Sequence, residues 1–336
     1  METAGDTKPK DLRLHSEQFW VGKYEFLKSR GYQLRPRYHP EWKPPWYDNE
    51  FGRGEETIWV FMPNVMDAIR IKDGKKVFLK AIDINEGLFL RRLGLRIGDN
   101  KNHTVRVHDL IPFTETRSFA VMQFLRVFDD PPFRRLSEPL EAIRQFLEGL
   151  EFIHGRNIAH RDMCHRNLMM DASELIPGGF HFAQPWMEDG LEPIKSISRS
   201  SLTMKYYIID FELSVFVKPG DPNPKASGIV GQDRTVPEFT SDEAMYNPYK
   251  LDIYQLGNMI VTRLIERYDG LDCLIPLAEA MTSKTPSDRP TASEAVAMFD
   301  TILKCADGRR YINLRTAGQM DKGAVALRNI FLPILS

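Results

Sequence analysis

The chain has 336 residues, 42% hydrophobic and 27% charged, with a formal net charge of -1. That length suits a two-lobed domain with short extensions, and the near-neutral balance gives no global field toward nucleic acid or an acidic membrane surface. Three widely spaced cysteines (Cys164, Cys273 and Cys305) supply neither a disulfide framework nor metal-ligand spacing. No apolar run approaches the roughly 20 residues of a membrane helix. The expectation is an intracellular, soluble monomer, cytoplasmic or nuclear, with no nucleic-acid or membrane partner.

Residues 1 to about 11 are polar and expected to be disordered. From Ser16 to Arg30, Phe19, Trp20, Tyr24, Phe26 and Leu27 recur at helical spacing, with Ser16 as N-cap and Gly31 as stop. The segment Arg35 to Trp46 is too proline-rich for a helix. Ile69–Ile71 and Val77–Leu79 flank Lys72-Asp73-Gly74-Lys75, a hairpin signal. A short helix is expected over 85–93, with Asn85 as N-cap and Gly94 past its end. A second hairpin follows over 105–113 and 118–125. The apolar spacing of Ile143, Phe146, Leu147, Leu150 and Phe152 predicts a helix over 139–154. Later helices are expected around 250–266, 273–283 and 292–305. Strands first and helices later make an α+β chain with two unlike halves.

Several short motifs occupy this frame. His160-Arg161-Asp162-Met163-Cys164-His165-Arg166-Asn167 has the H-R-D-x-x-x-x-N spacing, and Tyr206 to Glu212 is an apolar strand running into Asp210-Phe211-Glu212. Magnesium is a hard cation that needs carboxylate oxygen beside phosphates, and Asp210 offers it. Val77-Phe78-Leu79-Lys80 resembles V-A-I-K, and Glu86 opens an E-x-x-x-L-x-x-L-like helix only six residues later. Val236-Pro237-Glu238 resembles A-P-E, Asp252 to Gly257 resembles D-x-W-x-x-G, and Asp288-Arg289-Pro290 carries an Arg suited to a structural pair with Glu238.

In this order, the motifs resemble those of the eukaryotic-type protein kinase superfamily. The resemblance implies a bilobal protein-kinase-like fold with a small β-rich N-lobe and a larger, mainly helical C-lobe. It implies an N-terminal extension over 1–55, an N-lobe over 56–125, and a C-lobe over 126–305 with an insert at about 171–204. A tail over 306–336 would pack on the C-lobe. Gly31 to Tyr38, Phe128 to Pro132 and Gly231 to Arg234 are further similar to a group of fungal kinase-like proteins.

Carried over residue by residue, the resemblance makes Asp162 the group that accepts the substrate hydroxyl proton. It makes Asn167 and Asp210 the magnesium ligands, Lys80 the phosphate contact paired with Glu86, and Arg166 an added positive charge. ATP would lie against Met122, Gln123, Leu125 and Met169. The implied activity is transfer of the ATP γ-phosphate to a protein hydroxyl, serine or threonine ahead of tyrosine. The protein substrate is unassigned. Four departures favour the alternative of a pseudokinase, a nucleotide-binding or scaffold module. No glycine-rich loop precedes Lys80, Phe78 replaces a small residue over the adenine, Cys164 replaces a lysine, and Glu212 replaces a glycine. Cys164 is expected to be an inert thiol. A small-molecule kinase ranks third, because that class typically lacks the Val236-Pro237-Glu238 and Arg289 features.

Overall fold

In the computed structural model of the chain, residues 13–43, 58–94, 98–188 and 190–315 are described, and they cluster into two units. The first contains the described residues up to Ile82, with His108–Phe124 and Ile176–Lys195. The second contains Asp83–Val107, Leu125–Leu175 and the described residues from Ser196 onward. The architecture is α+β, as the order of strands and helices predicts.

The first unit begins with α1 (His15–Val21) and α2 (Tyr24–Ser29), followed by β1 (Tyr32–Gln33), β2 (Val65–Arg70) and β3 (Lys75–Asp83). The chain passes through α3 (Ile84–Gly94) and returns with β4 (Val107–Pro112) and β5 (Arg117–Gln123). The sheet order is β1-β2-β3-β5-β4, with β2 and β3 antiparallel across the expected turn, where Gly74 has φ +68. One face of this sheet is core. Met66, Ala68, Val77, Leu79, Phe119 and Val121 bury against Trp20, Leu27 and Tyr38. The alternation of a strand sends Lys76, Phe78 and Lys80 to the other face.

The single helix expected from Ser16 is two helices, broken at Gly22 and Lys23. Ser16 is not the cap. Its hydroxyl donates to the Val60 carbonyl, and Glu17 reaches back to the Leu14 N–H at 2.7 Å. Glu17 also takes a two-pronged bond from Arg37, at 2.9 and 3.0 Å, with both side chains fully buried. Burial pushes the Glu17 carboxyl up, but Arg37 and the Leu14 N–H outweigh it and hold the carboxyl below its ordinary value. A depressed carboxyl contributes stability that is present above its unfolded pKa, roughly 4.3, and is lost as pH falls through the folded value. Urea melts from pH 6 to pH 3 are therefore expected to lose stability less steeply in Glu17→Gln than in the native chain. Parallel slopes would contradict this account.

The second unit continues with β6 (Arg126–Val127), α4 (Ser137–His154), β7 (Ile158–Ala159), β8 (Leu168–Met170), β9 (Tyr206–Ile208) and β10 (Val215–Phe216). It ends with α5 (Pro248–Met259), β11 (Tyr268–Asp269), α6 (Ile275–Met281), α7 (Ala292–Cys305) and β12 (Asn313–Leu314). The Asn247 side chain accepts from the Tyr249 and Lys250 N–H groups, and Pro248 opens α5. Thr291 and Glu294 form a capping box at α7. A Cβ on Gly257 would stand 2.6 Å from the Met281 Cβ, so α5 and α6 meet where only glycine fits. α5 runs on as a π-helical turn, Ile260–Ile265, which accounts for the long helix expected there.

The expected pair forms: Arg289 donates to both Glu238 oxygens at 2.7 Å. Residues 311–315 lie along the second unit, with Ile312 N–H on the Arg134 carbonyl and β12 paired with β11. The rest of the expected tail, 316–336, and the expected disorder over 1–11 lie outside the described residues, as do 44–46 of the proline-rich segment. α3 clusters with the second unit, and residues 176–195 cluster with the first.

Candidate active site

The loop between β7 and β8 is held from below by α5. The buried Asp252 carboxylate accepts from the backbone N–H of His160 (2.8 Å) and Arg161 (2.6 Å) and faces His154 Nε2 at 2.9 Å. The Gln255 amide brackets the next turn, accepting from Met163 N–H and donating to the Arg161 carbonyl. The backbone is thereby bent into an uncommon conformation, with Arg161 at φ +67. Such positions cost about 1–3 kcal/mol and persist where surroundings over-determine them.

Asp162 emerges from this bend. Asn167 Nδ2 donates to its backbone carbonyl at 3.0 Å and to its Oδ2 at 2.9 Å, while Gln232 N–H donates to its Oδ1 at 2.8 Å. Asp162 is only 6% exposed. Gly231, at φ +78, permits this cover, since a Cβ there would lie 2.8 Å from Asp162 Oδ1 and from the Arg161 carbonyl. Burial and the Asp162 charge push the Cys164 thiol up to about 12, so it is protonated and a poor nucleophile, as expected. Arg166, in the same loop, is exposed.

Asp210 follows β9 and also has positive φ, +66. The β8–β9 pairing and the Ile209 N–H to Asn167 carbonyl bond (3.0 Å) fix its distance from the catalytic-type loop. His160 Nε2 lies 2.9 Å from the Ile209 carbonyl, and its ring meets Phe211 edge-on. Glu86, Asp210 and Glu212 each offer a carboxylate oxygen within 4.8 Å of the other two. Hard oxygen donors so gathered fit a divalent cation such as magnesium. Glu212, which stands where the motif has a glycine, is a third acid of this cluster beside Asp210. From the other side, Phe89 on α3 stacks on Phe216 of β10 at 4.3 Å, with Arg92 over the same ring.

The remaining candidates divide between the units. Lys80 lies on β3, on the face it shares with Phe78, and Met122 and Gln123 close β5; all three belong to the first unit. Leu125 belongs to the second unit, and Met169 sits on β8, paired with Val127 and Tyr207. Asp129 is buried, facing His165 Nε2 at 2.7 Å and accepting from Arg263 and Arg267. Burial pushes its carboxyl up, but those three partners hold it below the ordinary range. It therefore acts as a brace for the catalytic-type loop through His165. No signal in its own neighbourhood points to cations so distant in sequence.

No family model matches the chain. A solved structure of the Rad53 kinase domain and SCD2 in complex with AMPPNP is similar, at 16% identity and a TM-score of 0.46, over 76% of this chain and 94% of that one. The fold is α+β, with an antiparallel sheet early in the chain and helices later. Among the described residues, no helix is long and apolar enough to cross a membrane.

Proposed function

We propose that this chain is an ATP- and magnesium-dependent protein kinase. The observation that carries this reading is the clasp of Asp162 by Asn167, in a loop pinned to α5 through Asp252. On this reading, an Asp162 oxygen orients an incoming hydroxyl and takes its proton as that oxygen bonds to the γ-phosphorus, while the bond from the γ-phosphorus to the bridging oxygen breaks and ADP leaves. Positioning and charge neutralisation supply most of the rate in such transfers. Asp210 and Asn167, with Glu86 and Glu212 close to Asp210, would hold magnesium, which supplies neutralisation of phosphate charge. The resemblance carries the phosphate charge over to Lys80 and Arg166, and the adenine contacts over to Met122, Gln123, Leu125 and Met169.

The test is a thermal melt with and without MgATP, beside Lys80→Met and Asp210→Asn. A ligand at roughly 100 times its Kd stabilises by about 2.7 kcal/mol, which moves a melt by a few degrees. The expected result is a magnesium-dependent shift in the native chain alone. No shift in any sample would leave the fold and remove the nucleotide site. A pseudokinase is the second reading, and a specific observation favours it: Phe182 of the insert packs on Phe78, 5.8 Å between ring centroids.

A further inference from the structure

The insert is the largest departure from the pattern that the motifs imply, and it is folded onto the first unit through four separate contacts. Phe180 stacks on Phe124 with ring centroids 4.7 Å apart. Phe182 meets Phe78 edge-on. Lys76 Nζ donates to the Phe180 carbonyl at 3.1 Å. Arg35 Nη1 lies 3.2 Å from Nε2 of the fully buried His181. The segment is also shaped from within, because His181 Nδ1 accepts from the Ala183 and Gln184 N–H groups, 3.1 Å each. This is not a solvated linker. Buried polar anchoring between aromatic contacts specifies one seat for residues 180–184.

The location of that seat gives it a meaning. Lys76, Phe78 and Lys80 share the non-core face of β3, and the insert packs on Lys76 and Phe78. Phe78 is the position that the kinase resemblance sets over the adenine, and Phe124 lies between Gln123 and Leu125, the residues set at its edge. An insert phenylalanine packs on each, Phe182 on Phe78 and Phe180 on Phe124.

We propose that residues 180–184 are a built-in occupant of the adenine place, so that nucleotide binds only when Phe182 leaves Phe78. This rests on the nucleotide-binding reading above. It makes the insert an autoinhibitory element whose ligand is the chain's own aromatic side chain. When the competent state is a minor fraction, apparent affinity falls by that fraction.

The test uses the full chain and two readouts. Isothermal titration with MgATP compares the native chain with Phe182→Ala, and about a tenfold tighter binding by the variant is expected if the seated state outweighs the open one by about ten to one. Hydrogen exchange on the unmodified chain, which no folding defect can confuse, follows the amides of Ala183 and Gln184. Saturating MgATP is expected to lower their protection. Equal affinity of native chain and variant, with those amides still protected in the bound state, overturns the occupant and leaves the nucleotide site intact. Absence of binding in both proteins overturns the occupant together with the nucleotide reading.

Discussion

Asp162→Asn is expected to lower phosphoryl transfer to a generic protein substrate by about 10²–10⁴-fold, the usual contribution of a positioned proton acceptor. The geometry also predicts a structural cost. The native carboxylate offers one oxygen to Gln232 N–H and the other to Asn167 Nδ2. An asparagine has one oxygen for two donors, so one buried donor is left unpaired at about 1–3 kcal/mol. The measurement pairs a radiolabelled phosphate assay with urea denaturation of the same samples. Unchanged phosphorylation in the variant would place the activity elsewhere, and a native chain with no transfer at all would support the pseudokinase reading.

Arg289→Ala is expected to destabilise the second unit by about 3–5 kcal/mol, because it breaks a buried pair and leaves one charge uncompensated. Arg289 is 1% exposed; besides Glu238 it donates to the Lys250 and Ser283 carbonyls and lies over the Tyr254 ring. Against a typical total of roughly 5–15 kcal/mol, that loss would bring the chain close to unfolding. Adding Glu238→Ala should recover part of the loss by removing the stranded carboxylate. A double variant as unstable as the sum of the single ones would show that the pair is uncoupled. Arg289→Lys should rescue incompletely, since an ammonium cannot make both prongs.

What was legible in the sequence was local, or carried by a motif. Asp73-Gly74 announces its hairpin because the turn needs a left-handed residue, and α4 follows from its apolar spacing. The Glu238–Arg289 pair was readable because each half stands in a recognisable tripeptide. The rest depended on partners far along the chain. Ser16 is capable of capping a helix, but its hydroxyl is claimed by the Val60 carbonyl, so Glu17 closes the turn instead. Asp129 looks like surface until His165, Arg263 and Arg267 converge on it. Phe180 and Phe182 sit among glycines and prolines in a stretch that reads as loop. Only Phe124 and Phe78 reveal which unit owns them.

The stack of Phe89 on Phe216 gives α3 a second point of support. Glu86 lies one turn before Phe89 on the same helix, and Asp210 and Glu212 precede Phe216 on the same strand of chain. The ring pair therefore acts as a hinge pin behind the three carboxylates. Turning α3 to withdraw Glu86 would require the two rings to part and Arg92 to leave its perch, at a cost of about 0.5–1.5 kcal/mol for the aromatic pair alone. The spacing of the acidic cluster in the second unit is thus tied to an aromatic contact made by the same helix.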